Sequence, residues 1–534
     1  MPHIIKLNNL FNVMQIVNIL EKKTEFITKN IVFSLSIIIT ISLVLRLYNF
    51  PFNVPLTLDA EGYFLYAIDM SVLGKFPTSY NFPNNGWSIF LSIFFSTFHF
   101  SNFLDFMHLQ RFLSVLLSVF TIIIIYLLCS RFFEKKIAFV CSMLFAFEPK
   151  IIVNSTLGIT EPLFILLGTI ALFLFLSENK KLVYSSFIIL GLFTVIRYEG
   201  FLLVVPFSIM FFIRFRMERK VVLQYLVALS LFALIILPMS YVRSETIGSD
   251  GIISHVSAGP QYYQHVSQNS NEPSEKIFFN FIVTGMMNLI KFIGWSTIPI
   301  FLFFIPFGIY AILKNHNQKN YTLIISLFTL LLPAFYVYSR EIQDTRYLLI
   351  IYPIFCVFAG FTIKKLFEKF KKEQLIVLVL FAVVLSSSVV FLEIKKIDYQ
   401  HEREAYDIAQ EIVKRTKIIN HSYAEEYMIQ ETKYFRSANM AILEKFPVLS
   451  NTIEQIQFVE TEDYDNIEKY LEFGKKSGLK YLIVDDNMKQ PDFLREVFNN
   501  ESNYPFLNKE FDSHDYNYEY HVKIFKIDYN IIKI

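Results

Sequence analysis

Cysteine and charged side chains are both scarce in this chain of 534 residues. It has three cysteines, Cys129, Cys141 and Cys356, and all of them lie within apolar runs. Because the polar C-terminal part contains none, the sequence offers no disulfide framework. Charged residues make up only 18% of the chain and the formal net charge is +2. With so little excess positive charge, the composition gives no indication of a nucleic acid partner.

Hydrophobic residues, in contrast, make up 54% of the chain and aromatic residues 17%. This is far more than a soluble globular protein carries, so the composition predicts a polytopic α-helical membrane protein. A membrane-spanning helix needs roughly 20 mostly apolar residues, and about eleven segments approach or meet this length. These segments are residues 31–48, 109–130, 137–153, 161–177, 182–196, 201–216, 221–241, 295–313, 321–338, 347–363 and 375–394.

Two further apolar stretches, residues 86–100 and 277–292, can either cross the bilayer or lie along its surface as amphipathic helices. The positive-inside rule favours the surface arrangement, because the basic clusters at 131–136, 214–220 and 364–372 then share the inner side. The first outer loop accordingly carries surface helices. We therefore expect a multi-pass protein of the plasma membrane, with a cytoplasmic N-terminus and the C-terminus outside.

The composition changes to mixed polar near residue 395. We predict a transmembrane module over residues 1–394 and an extracytoplasmic, soluble α/β domain over residues 395–534, which is long enough to bury its own core. Residues 405–413 have helical spacing, and Tyr481–Val484 reads as a buried strand. No cluster of histidine, cysteine and carboxylate has the spacing of metal ligands, so the sequence indicates neither a divalent metal nor another cofactor.

Acidic residues lie in the predicted first outer loop, which contains Asp59-Ala60-Glu61-Gly62-Tyr63. If a helix begins just before this motif, Asp59 lies in its first turn and shares a face with Tyr63, four residues later. The alternative is structural: Asp59 only caps the helix and Glu61 is only a favourable first-turn acid. A further acid, Glu161, opens a predicted span within Thr-Glu-Pro, where capping is again the alternative.

An arginine-tyrosine pair interrupts an apolar stretch at Arg197-Tyr198-Glu199. Charges at membrane depth are costly, so they usually face a cavity or each other; pairing of Arg197 with Glu199 is the structural alternative. A second pair, Arg346-Tyr347, precedes a later span. Arginine there suits a phosphate, because its planar group forms bidentate hydrogen bonds and stays charged. The alternative is contact with lipid headgroups.

Acids and arginines on one aqueous face suit the transfer of a sugar from a lipid phosphate. The lipid tail stays in the bilayer, an arginine binds the phosphate, and a carboxylate deprotonates the acceptor hydroxyl. A phosphate leaving group needs little acid assistance, so a single base suffices. The sequence shows no P-loop, Gly-rich dinucleotide turn or Ser/His/Asp order, which disfavours nucleotide-driven pumping and lipase chemistry.

At these residues the chain resembles the GT-C superfamily of integral-membrane glycosyltransferases, particularly the dolichyl-phosphate-mannose protein mannosyltransferases of glycosyltransferase family 39 and the lipid A aminoarabinose transferases. The resemblance covers roughly residues 31–363. In these families an acidic motif in the first outer loop, often Asp-Glu followed by Tyr, carries the catalytic carboxylate. Asp59 and Tyr63 match it, whereas Ala60 departs from it and moves the second acid to Glu61.

Later family markers follow in the same order. They are Arg111 at the start of the second span, the stretch from Asn154 to Pro162, the stretch from Gly191 to Gly200, and Arg346-Tyr347 followed by Pro353. The resemblance implies a dolichyl-type polyprenyl-phosphate sugar donor, an inverting transfer and an extracytoplasmic active site, and the family includes metal-independent members. Asp59, Glu61 and Glu161 are the candidate catalytic residues. Candidate donor-binding residues are Tyr63, Arg111, Arg197, Tyr198, Glu199, Arg346 and Tyr347.

Two other classes of function stay open. A transporter or flippase of lipid-linked sugars would place paired charges near the middle of the bilayer and usually contains internal repeats. Here the charges cluster at the ends of spans, and no repeat is visible. A non-catalytic scaffold that displays the C-terminal domain would leave Arg197 and Glu199 with no role beyond pairing. The acceptor can be a protein, a lipid or a glycan.

Overall fold

The structure is a computed structural model, and it forms two compact units. We call Met1–Phe50, Asn81–Phe90 and Arg111–Lys396 the bundle unit, and Pro51–Tyr80, Leu91–Gln110 and Ile397–Ile534 the mixed unit. Within the chain the structure describes residues 30–77, 84–98, 100, 103–258, 261, 274–315, 317–370, 372–416, 440–441, 457–458, 464–476, 479–486 and 491–532. The division at residue 395 stays a prediction.

Helices make up most of the bundle unit and also occur in the mixed unit. In chain order they are α1 (Ile31–Tyr48), α2 (Asp59–Leu73), α3 (Asn85–Phe95), α4 (Phe103–Cys129), α5 (Lys135–Ala146), α6 (Pro149–Ser155), α7 (Glu161–Phe175), α8 (Lys180–Ile196), α9 (Val204–Phe215), α10 (Val221–Ile247), α11 (Ser274–Thr297), α12 (Phe304–Lys314), α13 (Gln318–Ser339), α14 (Tyr352–Phe370), α15 (Glu373–Ile394), α16 (Gln400–Thr416), α17 (Ile467–Lys476) and α18 (Asp492–Asn499). Short 3₁₀ segments, Tyr198–Leu203 and Thr345–Ile351, precede α9 and α14.

Many of these helices have the length and composition of membrane spans. In the described part of the chain, eight helical segments are long and apolar enough to cross a bilayer, or nine if α5 and α6 form one bent span. Shorter apolar helices, α3, α7 and α12, accompany them. The prediction of a polytopic α-helical membrane protein is therefore confirmed, with a helix number close to the expected one.

One expected span differs in the structure. Residues 295–313 do not form a continuous helix, because α11 ends at Thr297 and α12 begins at Phe304. Proline lacks the amide hydrogen that a helix requires and disfavours helical backbone at the residue before it, so Pro299 ends the helix near Ile298. The apolar stretch at 277–292 belongs to α11, which has 24 residues. Its surface orientation stays a prediction.

The third predicted span is bent by 55° between α5 and α6. Pro149 begins α6, and the backbone amide of Lys150 bonds to the Glu148 side chain instead of the preceding turn. The Ala146 carbonyl oxygen accepts hydrogen bonds from Ser42 Oγ at 2.9 Å and Arg46 Nη1 at 3.1 Å. Both donors belong to α1. A buried carbonyl at the bend is thus satisfied by a neighbouring helix, as an apolar environment requires.

The C-terminal part of the mixed unit contains a five-stranded antiparallel sheet. Its strands are β1 (Met440–Ala441), β2 (Gln457–Phe458), β3 (Tyr481–Asp485), β4 (Leu507–Asp512) and β5 (Val522–Ile527), in the order β2-β1-β3-β5-β4. α17 and α18 contribute Tyr470 and Leu494 to a core that includes Leu482 and Phe525 of the sheet. The predicted strand at Tyr481–Val484 and the predicted small α/β region are confirmed.

Candidate functional site

Arg197 is the centre of a buried charge cluster in the bundle unit. It follows α8, and its Nη1 atom lies 2.7 Å from Oε1 of Glu161, the first residue of α7. Its Nη2 atom lies 2.9 Å from Oε1 of Glu199. The side chains of Arg197, Glu161 and Glu199 are 13%, 6% and 9% exposed. One guanidinium group therefore compensates two carboxylates that are nearly removed from solvent.

Aromatic rings flank this cluster on two sides. The guanidinium carbon of Arg197 lies 5.5 Å from the ring centroid of Tyr347 and 5.7 Å from that of Phe164. Thr160, just before α7, accepts a further hydrogen bond from Nη1 of Arg197 at 3.2 Å. Because cation and ring attract each other most strongly when shielded from water, the aromatic contacts help to fix the guanidinium plane. They also connect the Arg197 cluster to the second arginine-tyrosine pair.

The second pair has a more open arginine. Arg346 lies in the 3₁₀ segment before α14, and its Nη2 and Nε atoms approach Oδ2 of Asp344 at 2.7 Å and 2.8 Å. Asp344 is held in turn, since its backbone oxygen accepts a hydrogen bond from the Tyr338 hydroxyl. The Arg346 side chain is 36% exposed. It thus combines a fixed orientation with access from solvent, as a phosphate ligand would need.

These residues share one crevice. Its lining contains both arginines, both carboxylates of the Arg197 cluster and Tyr347, together with apolar side chains from α7, α13 and the segment before α14. The lining residues are Glu161, Phe164, Ile165, Arg197, Glu199, Leu330, Pro333, Arg346, Tyr347 and Ile350. The structure therefore brings together five of the ten candidate residues, which lie far apart in the sequence.

The start of α3 packs against the end of α8 beside this crevice. Trp87 is fully buried and its indole nitrogen donates to the Gly158 carbonyl at 3.1 Å. Gly86 lies so close to α8 that a Cβ atom would come within 2.5 Å of the Val195 carbonyl oxygen. The absence of a side chain at Gly86 allows this approach. It brings the Asn84 side chain to the Tyr198 amide, 3.4 Å away.

His255 and Arg243 are neighbours of the cluster that the sequence analysis did not select. The His255 ring lies 5.2 Å from the Tyr198 ring. Burial lowers the pKa of His255, and the nearby Arg243 lowers it further, against the opposing charges of Asp250 and Glu199. Arg243 is fully buried near the end of α10. In the sequence, Arg243 is a charged residue at the end of an apolar run, and this feature could have identified it.

Asp59, Glu61 and Tyr63 lie in the mixed unit, at the start of α2. Asp59 is the first residue of this helix and is exposed, whereas Glu61 and Tyr63 are buried. The predicted helix start is confirmed, but Asp59 is not the capping residue. That position belongs to Leu58, whose φ of 55° is unusual for a branched side chain and which provides no side-chain cap. Negative charge at Asp59 is favoured by the helix dipole.

Arg111, the remaining candidate residue, lies in the bundle unit together with further basic groups. Arg111 lies within α4 and its side chain is buried. At the other end of α7, Arg214 donates to the Phe175 carbonyl at 2.8 Å, and Lys319 lies 3.2 Å from Glu178. These basic groups lie near the end of α7, whereas Glu161, the partner of Arg197, lies at its start. Among the described residues, no three histidine, cysteine or carboxylate side chains converge as metal ligands.

One family model and several solved structures are similar to this chain. A family model described as dolichyl-phosphate-mannose-protein mannosyltransferase matches residues 88–241. The fold is similar to the apo oligosaccharyltransferase of Archaeoglobus fulgidus, with a TM-score of 0.54, 14% identity, and coverage of 85% of this chain and 69% of the other. It is also similar to ArnT of Cupriavidus metallidurans bound to undecaprenyl phosphate, with a TM-score of 0.51, 11% identity, and coverage of 92% and 97%.

No protein of curated function matches the sequence significantly. At identities of 11% and 14% the structural similarity establishes the fold alone, while the family model matches the part of the sequence that runs from α3 to α10. Together, the matched family model and the shared fold confirm the predicted resemblance to the GT-C integral-membrane glycosyltransferases.

Proposed function

We propose that this protein is a membrane glycosyltransferase that moves a hexose from a polyprenyl-phosphate carrier to an acceptor hydroxyl, with inversion at the anomeric carbon. The observation that carries the proposal is the crevice in which Glu161, Arg197 and Glu199 meet Arg346 and Tyr347. Buried charges are costly in a membrane protein and usually mark a substrate path. The matched mannosyltransferase family model supports the same class of reaction.

Arg346 is the residue we assign to the donor phosphate. Its guanidinium is accessible and pairs with Asp344, whereas that of Arg197 is nearly buried between Glu161 and Glu199. A phosphate that approaches Arg346 can therefore add hydrogen bonds without displacing a buried ion pair. Arg197 then holds Glu161 and Glu199 in place, and Tyr198 and Tyr347 border the donor. Arg111 and Tyr63 are assigned to the same substrate by the family resemblance.

Asp59 is the proposed catalytic base. Its carboxylate takes the proton of the acceptor hydroxyl while the acceptor oxygen bonds to the anomeric carbon. The bond from that carbon to the phosphate oxygen breaks, and the phosphate leaves with the electron pair. Exposure at the first turn of α2 supports this role, because an acceptor can reach the side chain. Glu61 and Glu161 are the other acids assigned to the site.

The donor class is supported by what similar structures contain. ArnT was solved with undecaprenyl phosphate, and the archaeal oligosaccharyltransferase AglB with a dolichol-phosphate and an inhibitory peptide. Lipid phosphate is common to both. We therefore propose a polyprenyl-phosphate donor and leave the acceptor as a protein, a lipid or a glycan. The reaction is assigned to the outer face of the plasma membrane, with residues 1–394 as the catalytic module and residues 395–534 as an extracytoplasmic domain.

Sugar transfer by purified protein in vesicles tests the proposal. Wild-type protein and the variant Asp59→Asn are supplied with radiolabelled polyprenyl-phosphate hexose and a crude acceptor fraction, and label that reaches acceptor is counted. Loss of a general base typically costs 100-fold to 10,000-fold in rate, as an order of magnitude. We therefore expect transfer by the wild type and about 100-fold less, or still lower, transfer by Asp59→Asn.

Asp105→Asn provides a matched control. Asp105 is also an exposed aspartate in the first turn of a helix, α4, so it reports what the loss of such a charge does to folding. Equal transfer by the wild type and Asp59→Asn would remove Asp59 from the mechanism. Movement of intact lipid-linked sugar across the vesicles, with no transfer by either protein, would instead identify a flippase.

A further inference from the structure

Lysine and aromatic side chains converge at a second place in the bundle unit. The Nζ atom of Lys150 in α6 lies 5.8 Å from the ring centroid of Trp295 in α11. The Nζ atom of Lys395, which follows α15, lies 5.8 Å from the same centroid. The distance between the two ammonium groups is therefore at most twice this value, although Lys150 belongs to α6 and Lys395 follows α15. None of the three residues lines the crevice of Arg346.

A second lysine-aromatic pair adjoins the first. Lys396 is next to Lys395 in the chain, and its Nζ atom lies 5.9 Å from the ring centroid of Tyr48. The rings are accessible, with Trp295 45% and Tyr48 67% exposed. Tryptophan, tyrosine and lysine at helix ends are typical of the layer in which lipid headgroups lie. We call Lys150, Trp295 and Lys395 the Trp295 cluster.

The Lys150 side chain is held in a fixed position. It is 12% exposed, donates a hydrogen bond to the Ile298 carbonyl, and lies 4.0 Å from Oε1 of the fully buried Glu148. Its ammonium group is also 4.9 Å from the Phe391 ring centroid. Such a lysine loses little further side-chain freedom when it binds a ligand. The site is therefore organised before the ligand arrives.

The positive charge of the Trp295 cluster exceeds its negative charge. Glu148 compensates at most one ammonium group, and it does so for Lys150. Within the described part of the chain, Lys395 forms no ion pair with an acidic side chain. The two cations near one ring repel each other, and a nearby anion would reduce that repulsion. The cluster thus has the charge of an anion site.

The surroundings of the cluster indicate that this anion carries an apolar tail. Exposed apolar side chains adjoin two of its members: Ile298, whose carbonyl accepts the hydrogen bond from Lys150, and Ile394, which precedes Lys395 in the chain. In a membrane protein such side chains face acyl chains. We propose that the Trp295 cluster binds the phosphate headgroup of an anionic bilayer phospholipid, with the phosphate at Lys150 and Lys395 and the acyl chains along α11 and α15. The proposal does not depend on sugar transfer.

Native mass spectrometry of the full-length protein tests this site. Protein released from nanodiscs of phosphatidylglycerol and phosphatidylcholine is compared with the variants Lys150→Gln and Lys395→Gln, singly and together. Each lysine near a headgroup layer is expected to contribute about fivefold in affinity for an anionic lipid. We therefore expect phosphatidylglycerol adducts on the wild type, about fivefold weaker retention in each single variant, and a larger loss in the double variant.

Lys365→Gln is the matched control, because the Lys365 ammonium group lies 5.2 Å from the ring of the exposed Tyr310, and no second lysine among the described residues lies on that ring. It should retain phosphatidylglycerol like the wild type. Trp295→Leu keeps both lysines and should also weaken the retention of phosphatidylglycerol. It tests the site independently if a lysine variant fails to fold. Equal adducts on all variants would overturn the proposal. Competition by soluble glycerol phosphate, or binding of polyprenyl phosphate without phosphatidylglycerol, would also overturn it.

Discussion

The Nη1 atom of Arg197 lies 2.7 Å from Oε1 of Glu161, although 36 positions separate the two residues in the chain. Glu161 begins α7 and Arg197 directly follows α8, so this ion pair joins the two helices at one end of the hairpin that they form. A second carboxylate, Glu199, completes the cluster. The Arg197 to Glu199 pair, which the sequence analysis named as the structural alternative, is thus present, and it is only half of the arrangement.

Replacing Arg197 by methionine should destabilise the protein strongly. The substitution leaves the carboxylates of Glu161 and Glu199 buried without a counter-charge, and removal of one partner of a buried ion pair costs about 3–5 kcal/mol. Thermal unfolding in detergent, followed by intrinsic fluorescence, measures the loss. Adding Glu161→Gln and Glu199→Gln to the Arg197→Met variant should restore part of the stability. A single variant as stable as the wild type would show that the cluster is well solvated.

Arg346→Lys should weaken donor binding more than it slows the chemical step. Lysine keeps the charge but loses the planar pair of donors with which arginine contacts a phosphate. We expect the KM for polyprenyl-phosphate hexose to rise by about tenfold, as expected for the loss of one charged hydrogen bond. Steady-state transfer assays at varied donor concentration separate KM from kcat.

Arg340→Lys is the control for this measurement. Arg340 lies just after α13, with its guanidinium 5.7 Å from the Tyr336 ring centroid, and it is not among the residues that line the crevice. Its KM should equal that of the wild type. If both arginine variants raise KM equally, general charge at the membrane surface, and not a bidentate contact at Arg346, explains donor affinity.

Gly86→Ala should separate the start of α3 from the end of α8. The new methyl group would lie 2.5 Å from the Val195 carbonyl oxygen and 2.7 Å from the Ile196 Cα atom, so the backbones must move apart. Overpacking of this kind costs about 1–3 kcal/mol, and transfer activity should fall because Asn84 leaves the Tyr198 amide. Gly294→Ala, where no atom lies within 4 Å of the new carbon, should change neither quantity appreciably.

The stability of the C-terminal sheet should fall in acid. The hydrogen bond from Lys509 lowers the pKa of Glu501, burial opposes this effect, and Lys523 lowers the pKa further. A lowered folded-state pKa stabilises the fold above the unfolded value of about 4.3, and this stability is lost as the pH falls through the folded value. Hydrogen exchange of β4 and β5, corrected for the intrinsic rate, should stay constant from about pH 7 to pH 5 and accelerate below about pH 4. In Glu501→Gln this acceleration should be smaller.

The sequence predicted most of the helices because apolar runs of the required length report membrane spans directly. It also predicted the strand at Tyr481–Val484 from its continuous apolar character. The break between α11 and α12 was missed, since a hydropathy window does not register that Pro299 lacks an amide hydrogen.

The charge cluster was predictable only in part. Arg197 and Glu199 are close in sequence, so their pairing was foreseeable, whereas the contact with Glu161 depends on how α7 packs against α8. His255 gave no local signal, because its position beside Tyr198 results from the return of the chain after α10. Asp59 is the first residue of α2 and Leu58 is the cap, so the structure removes the capping role that the sequence left open, and the role of Asp59 as a base stays a proposal.

The bend between α5 and α6 also bears on the order in which the chain assembles. A helix that breaks inside a bilayer exposes backbone carbonyls to lipid unless another segment satisfies them. Here the donors are Ser42 and Arg46 of α1, which also reaches Ser118 of α4. Because synthesis proceeds from the N-terminus, α1 already exists when Pro149 leaves the ribosome. The first span can therefore act as an internal chaperone for the third, receiving the bent segment as soon as it enters the membrane.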